Sequence, residues 1–168
     1  PASCQLETVV RHGAEPIDDR FVREELRRAF ASAAGLRLRK AATESGKALI
    51  LCDDTTRPTP TAKILPELSR LLTEAGVPAS QQTILFAVGS HRAMTNAEVR
   101  IKVGDDLCGP LSFRCHDWHK RLVRVGFTPG GLPIDIDPLL GAYSCIVGIG
   151  SVFPHRYCGW SGGGKIVL

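Results

Sequence analysis

Apolar and polar positions alternate along this chain in blocks of two kinds. From Ile17 to Phe30 the residues Phe21, Val22, Leu26 and Phe30 recur at helical spacing and fill one face, with Gly35 beyond them as a stop. Three runs are apolar almost throughout: KALILC (47–52), TILFAV (83–88) and CIVGIG (145–150). Each is too brief for a helix and reads as a strand buried on both faces. Between the first two, Thr59 and Pro60 read as the N-cap and first residue of a helix running to about Ala75, closed by Gly76 with Pro78 beyond. Thr95 and Glu98 complete a capping box in TNAE, which predicts a further helix ending at Gly104. LSFRC, RLVRVGF and PIDID, between residues 111 and 137, carry weaker strand character. Pro129-Gly130-Gly131 suits a hairpin-like turn, and 138–142 a short helical turn. Strands alternating with helices predict an α/β domain, Rossmann-like and three-layered, with a mainly parallel sheet and a ligand crevice at the strand carboxyl ends.

Composition narrows the class without naming a chemistry. A hydrophobic share of 43% and a charged share of 23% over 168 residues suit one ordinary globular domain. The net charge of +4 is mild, and the basic residues sit in helical segments such as VREELRRAF with no aromatics between them. That pattern is a solvated helix face and argues against a nucleic-acid partner. The apolar runs are far too short to span a bilayer, no charged-then-apolar leader is evident, and no membrane association is expected. The six cysteines form no CxxC pair, and two lie inside strand-like runs, which suits reduced thiols in a cytoplasmic protein. Cys115, His116 and His119 are spaced like metal ligands, but no matching pair stands elsewhere, so no metal site is expected within the chain.

The polar residues that interrupt the pattern are placed with regularity. DDTTRPTP (53–60), GSHR (89–92) and FPHRYCGWSGGGK (153–165) each follow one of the three most apolar runs. If those strands are parallel, all three clusters meet at one crevice. Singly, each has a structural explanation: a turn aspartate, a loop histidine, a flexible glycine tract. Together they put two imidazoles, a carboxylate, a guanidinium and an amine at strand ends, where structural duty rarely concentrates them. The glycine tract itself resembles a phosphate cradle, since GWSGGGKI fits G-x-x-x-x-G-K. It carries Ile166 where a P-loop places a magnesium-binding hydroxyl, and eight residues separate it from the preceding strand. A nucleotidase is therefore disfavoured.

The motifs DDTTRPTP, GSHRAMTNAE, GFTPGGLPIDID and PHRYCGWSGGGK, in this order, resemble the N-terminal half of the nickel-dependent lactate racemase family. The resemblance runs from about residue 10 to the end. It implies a two-domain α/β enzyme, an isomerase that racemises or epimerises 2-hydroxy acids with a nickel-pincer nucleotide. That cofactor is made by dedicated synthesis enzymes and held covalently by a lysine. On this resemblance Lys165 bears the cofactor, while His91 and His155 donate and accept protons. Asp54, Thr55, Thr56 and Arg57 contact the cofactor, and Arg57 also meets the substrate carboxylate. The chain departs from the family at Trp160, Ser90 and Cys158, which bears on substrate choice. The family's nickel-ligating histidine would lie after Leu168, so residues 1–168 are expected to be the cofactor-binding domain of a longer enzyme, inactive alone.

The chemistry suits these residue types. The C2 hydrogen of a 2-hydroxy carboxylate is a poor acid beside a charge already negative, so leaving as a hydride avoids a dianion. A histidine must then take the hydroxyl proton, and a second histidine serves the other enantiomer. A planar guanidinium binds both carboxylate oxygens. The competing expectation is a binding module that keeps the crevice without the chemistry.

Overall fold

The computed structural model describes residues 18–120, 122–156 and 159–167. The expected helix start at Ile17, Arg121 of the RLVRVGF run, and Cys4 and Cys158 lie outside them. In chain order come α1 (Asp19–Ala31), α2 (Ala33–Ser45), β1 (Ala48–Cys52), α3 (Thr61–Glu74), β2 (Gln82–Phe86), α4 (Asn96–Val103) and β3 (Ser112–Cys115). Then follow β4 (Val123–Phe127), β5 (Pro133–Ile136), α5 (Pro138–Ala142), β6 (Ile146–Ile149), β7 (Phe153–His155), β8 (Gly159–Ser161) and a 3-10 turn over Gly163–Val167.

The central sheet has the order β3-β2-β1-β6, and every pairing in it is parallel. Cys52 is in register with Phe86 on one side and Ile149 on the other, so these strands end level with one another. All five β1 residues are buried because both faces are covered. β6, expected to be buried likewise, lies at the sheet edge, and its Ile146 and Gly148 are exposed. Ile50, Cys52, Ile84 and Phe86 face a layer built from α1, α2, α3 and α4, with Phe30, Leu65, Leu68 and Leu72 in the same cluster. Leu49, Leu51 and Leu85 face a thinner layer of Leu139, Leu140, Tyr143 and Ile166. The expected three-layer α/β architecture is present, with unequal layers. Two antiparallel pairs, β4 with β5 and β7 with β8, stand apart from the central sheet.

Three local expectations are revised. Gly35 is inside a helix rather than a stop: α1 ends at Ala31, and the side chain of the next residue, Ser32, starts α2 by accepting from the Gly35 amide. A Cβ at Gly35 would collide with the Ala29 carbonyl and the Phe30 backbone, so glycine is there for the close approach of the two helices. The helix expected from Thr59 and Pro60 starts one residue later, at Thr61, with no side-chain cap. The Thr59 hydroxyl is instead engaged by Asp53 and Ser151. The third revision is minor: the helix closes at Ala75 rather than Gly76. The capping box at Thr95 and Glu98 forms with both reciprocal bonds.

Candidate functional site

Sheet order fixes where a ligand can bind. From β1 the chain moves out to β2 and β3 on one side and later returns to β6 on the other, so the order reverses beside β1. At such a switch point the segments leaving the strand ends diverge and open a crevice. A cavity of about 290 Å³ lies there. Asp53, Asp54 and Arg57 line it from the end of β1, Ala87 to His91 from the end of β2, and Gly150 and Ser151 from the end of β6. Ser161, Gly162, Lys165 and Ile166 close it from β8 and the 3-10 turn.

The segment after β1 is shaped by its own carboxylates. Asp54 Oδ1 accepts from the Thr56 amide at 3.0 Å and from the Thr56 hydroxyl, which bends the chain so that Arg57 returns toward the crevice. Asp54 Oδ2 is 2.7 Å from His91 Nδ1. Burial at the strand end acts to raise the Asp54 carboxyl. The hydrogen bonds from His91 and Thr56 outweigh it and hold the group below the ordinary carboxylate range. An ionised Asp54 can only accept, so His91 Nδ1 carries the proton, and in the neutral ring the lone pair is on Nε2. The Arg57 guanidinium lies over the Phe153 ring, 5.0 Å from its centroid, which ties the β1 loop to β7.

The glycine tract reaches the crevice through close packing. Gly162 adopts φ +78, and a Cβ there would collide with the Ser151 carbonyl at the end of β6. Only glycine lets the segment leaving β8 pass this close to the segment leaving β6 on its way to Lys165. Ile166, the residue that spoils the P-loop pattern, packs into the thinner core layer and against Gly148 and Gly150. Its apolar side chain is thus a packing requirement of this loop.

Of the residues singled out from sequence, Asp54, Arg57, His91 and Lys165 line one cavity. His155, Thr55 and Thr56 are not among its lining residues. Thr56 acts through Asp54, and Thr55 is exposed. His155 is half-buried on β7, on the same face of that strand as Phe153, which meets Arg57. Ser90 lines the cavity, while Trp160 is exposed on β8. Cys115 and His116 follow one another at the end of β3, and His116 Nδ1 is 3.0 Å from Asp137, beside a smaller adjoining cavity. The His119 ring lies tilted against Trp118, with centroids 3.8 Å apart.

The sequence places Asp53 in the cluster after β1 but gives it no separate role, and it passes over Ser151 and Lys102. Lys102 is buried on α4, and its ammonium lies 2.8 Å from Asp53. The signal was present: Val99, Lys102 and Val103 share one helical face, and the neighbouring Ile101 is exposed.

A family model described as "Lactate racemase N-terminal domain" matches residues 5–168. A lactate racemase of Thermoanaerobacterium thermosaccharolyticum is 32% identical over 134 residues, covering 79% of this chain and 31% of the relative. A lactate racemase of Lactiplantibacillus plantarum is 31% identical over 122 residues, covering 71% and 28%. The structure of the lactate racemase apoprotein from T. thermosaccharolyticum superposes with a TM-score of 0.73 at 28% identity, over 87% of this chain and 36% of that one. The chain thus spans about a third of the length of these relatives.

Proposed function

The chain belongs to the lactate racemase N-terminal domain family, and from that premise we propose that its crevice holds a nickel-pincer nucleotide and inverts the C2 centre of a 2-hydroxy acid. The observation that carries this reading is the meeting of Asp54, Arg57, His91 and Lys165 around one cavity at the sheet's switch point. The donor set suits such a guest. An amine, a guanidinium and the hydroxyls of Ser90, Ser151 and Ser161 favour phosphate and carboxylate oxygens over an apolar ligand. Lys165 lines the same cavity behind Gly162, and in this reading its amine holds the nucleotide covalently. Asp54, with Thr55 and Thr56 beside it, borders the same space. When bound, that group supplies a reversible acceptor for the C2 hydrogen as hydride, a chemistry no protein side chain offers.

This chain's own residues do the rest. Arg57 grips the substrate carboxylate through two parallel N–H bonds, and the Phe153 ring restrains the guanidinium from behind. His91 Nε2 takes the hydroxyl proton, and the imidazolium charge that develops is offset by Asp54 through Nδ1. His155 serves the opposite enantiomer in the same manner, from β7. Returning the hydrogen to the other face of the flattened C2 gives the enantiomer.

The test is the mass of Lys165. Full-length protein carrying this domain, produced with the cofactor-synthesis enzymes, is expected to gain a covalent adduct on the peptide containing Lys165, with nickel bound. Lys165→Ala should lose both. An active racemase whose Lys165 is unmodified would refute the proposal.

A further inference from the structure

We propose that Lys102 is a positioning residue: from α4 it clamps the loop after β1 and thereby fixes where Arg57 presents its guanidinium. The proposal rests on the reading of Arg57 as the carboxylate-binding group. The Lys102 side chain is only 5% exposed. Its ammonium donates to the Arg57 carbonyl at 3.0 Å and the Thr59 carbonyl at 3.4 Å, and lies 2.8 Å from Asp53 Oδ1. Two backbone carbonyls accept from the ammonium, and the Asp53 carboxylate pairs with its charge. Asp53 Oδ2 in turn accepts from the Thr59 hydroxyl, and that hydroxyl is 2.7 Å from the Ser151 hydroxyl at the end of β6. One buried cation therefore joins α4 to the loops after β1 and β6, whose Asp53, Arg57 and Ser151 line the crevice.

Stability alone does not explain such a group. Burying an ammonium and a carboxylate forfeits hydration that their attraction rarely recovers, and an apolar pair of similar volume often serves a core as well or better. What the pair does supply is geometry, because an apolar side chain cannot hold two carbonyls and a carboxylate at set distances. The carbonyl it holds at Arg57 belongs to the residue whose fork must meet the substrate. Residues 53–57 also include Asp54, which aligns His91.

The experiment compares Lys102→Met, Arg57→Ala and the double variant in full-length holoenzyme, with lactate as the first probe. Lys102→Met is expected to raise KM roughly tenfold while kcat moves less, because a displaced Arg57 weakens carboxylate binding. In the Arg57→Ala background the same change should alter KM by less than about twofold, since the group being positioned is gone. Equal factors in both backgrounds would overturn the proposal and leave Lys102 a purely structural residue. Backbone amides of residues 54–57 and 59 should exchange roughly tenfold faster with deuterium in Lys102→Met, and unchanged exchange would also overturn it. Exchange is read without substrate, so a wild-type protein that racemises nothing would count against the proposed function and not against the clamp. Should Lys102→Met fail to fold, Lys102→Arg keeps the charge but cannot aim a planar fork at two carbonyls and a carboxylate together. It should raise KM and speed exchange likewise, and wild-type values of both would refute the clamp.

Discussion

Asp54 is where residue-level physics and function meet most closely. Its carboxyl is held ionised by His91 and Thr56 despite burial at the strand end. An asparagine there would keep the shape but could donate to Nδ1, favouring the tautomer whose Nε2 carries a proton. Asp54→Asn is therefore expected to lower kcat by on the order of a hundredfold or more with a smaller change in KM, read by steady-state racemisation. The same carboxylate sets a pH dependence of folding. A group whose folded pKa is depressed contributes stability above its unfolded value and loses it as pH falls through the folded value. Wild type should accordingly lose more stability than Asp54→Asn as pH drops below about 4, measured by urea unfolding across that range. Cys52 behaves in the opposite sense. Burial, and secondly the neighbouring Asp53 charge, push its thiol up to about 12. Cys52 should stay unlabelled by a thiol reagent at pH 8 in the folded protein and label on unfolding, as peptide mapping by mass spectrometry would show.

At the scale of elements, what could be read from sequence was what local chemistry determines. The α4 start was legible because its signals lie within four residues: the Thr95 hydroxyl accepts from the Glu98 amide and the Glu98 carboxylate returns to Thr95. Arg92, foremost, and then the Thr95 bonds pull Glu98 down to about 2. Thr95→Ala should destabilise the domain by about 1 kcal/mol in denaturant unfolding. β1 and β2 were legible for a similar reason, since a run apolar on both faces leaves few alternatives; the third run forms β6 as expected, but at the sheet edge, where Ile146 and Gly148 are exposed. α2 was not. Gly35 reads as a terminator when only the neighbouring residues are considered, yet its missing side chain is what allows α2 to pack against the end of α1. Gly35→Ala is expected to destabilise by roughly 1–3 kcal/mol in the same assay, through overpacking. Thr59 misled in the other direction: its hydroxyl could cap α3, but tertiary contacts with Asp53 and Ser151 claim it.

Across the whole molecule, three parallel strands ending level bring residues 54, 57, 91 and 165 to one cavity from segments more than a hundred residues apart. That convergence was legible as soon as the strands were taken as parallel. What the sequence concealed was the support beneath it, because Lys102 reads as a surface lysine until its helix is rotated onto the core. His155 is a further lesson of scale, since the motif that names it places it on β7 beside the Arg57–Phe153 contact and not on the cavity lining. The proposed role of the crevice is to act on the C2 centre of a hydroxy acid. Its most direct test is optical rotation of a panel of enantiopure 2-hydroxy acids incubated with the full-length holoenzyme and with its His91→Ala and Lys165→Ala variants. The expected result is decay of rotation to zero for at least one acid with wild type and none with either variant. Racemisation that persists in both variants, or a panel that keeps its rotation with cofactor-loaded enzyme, would contradict it.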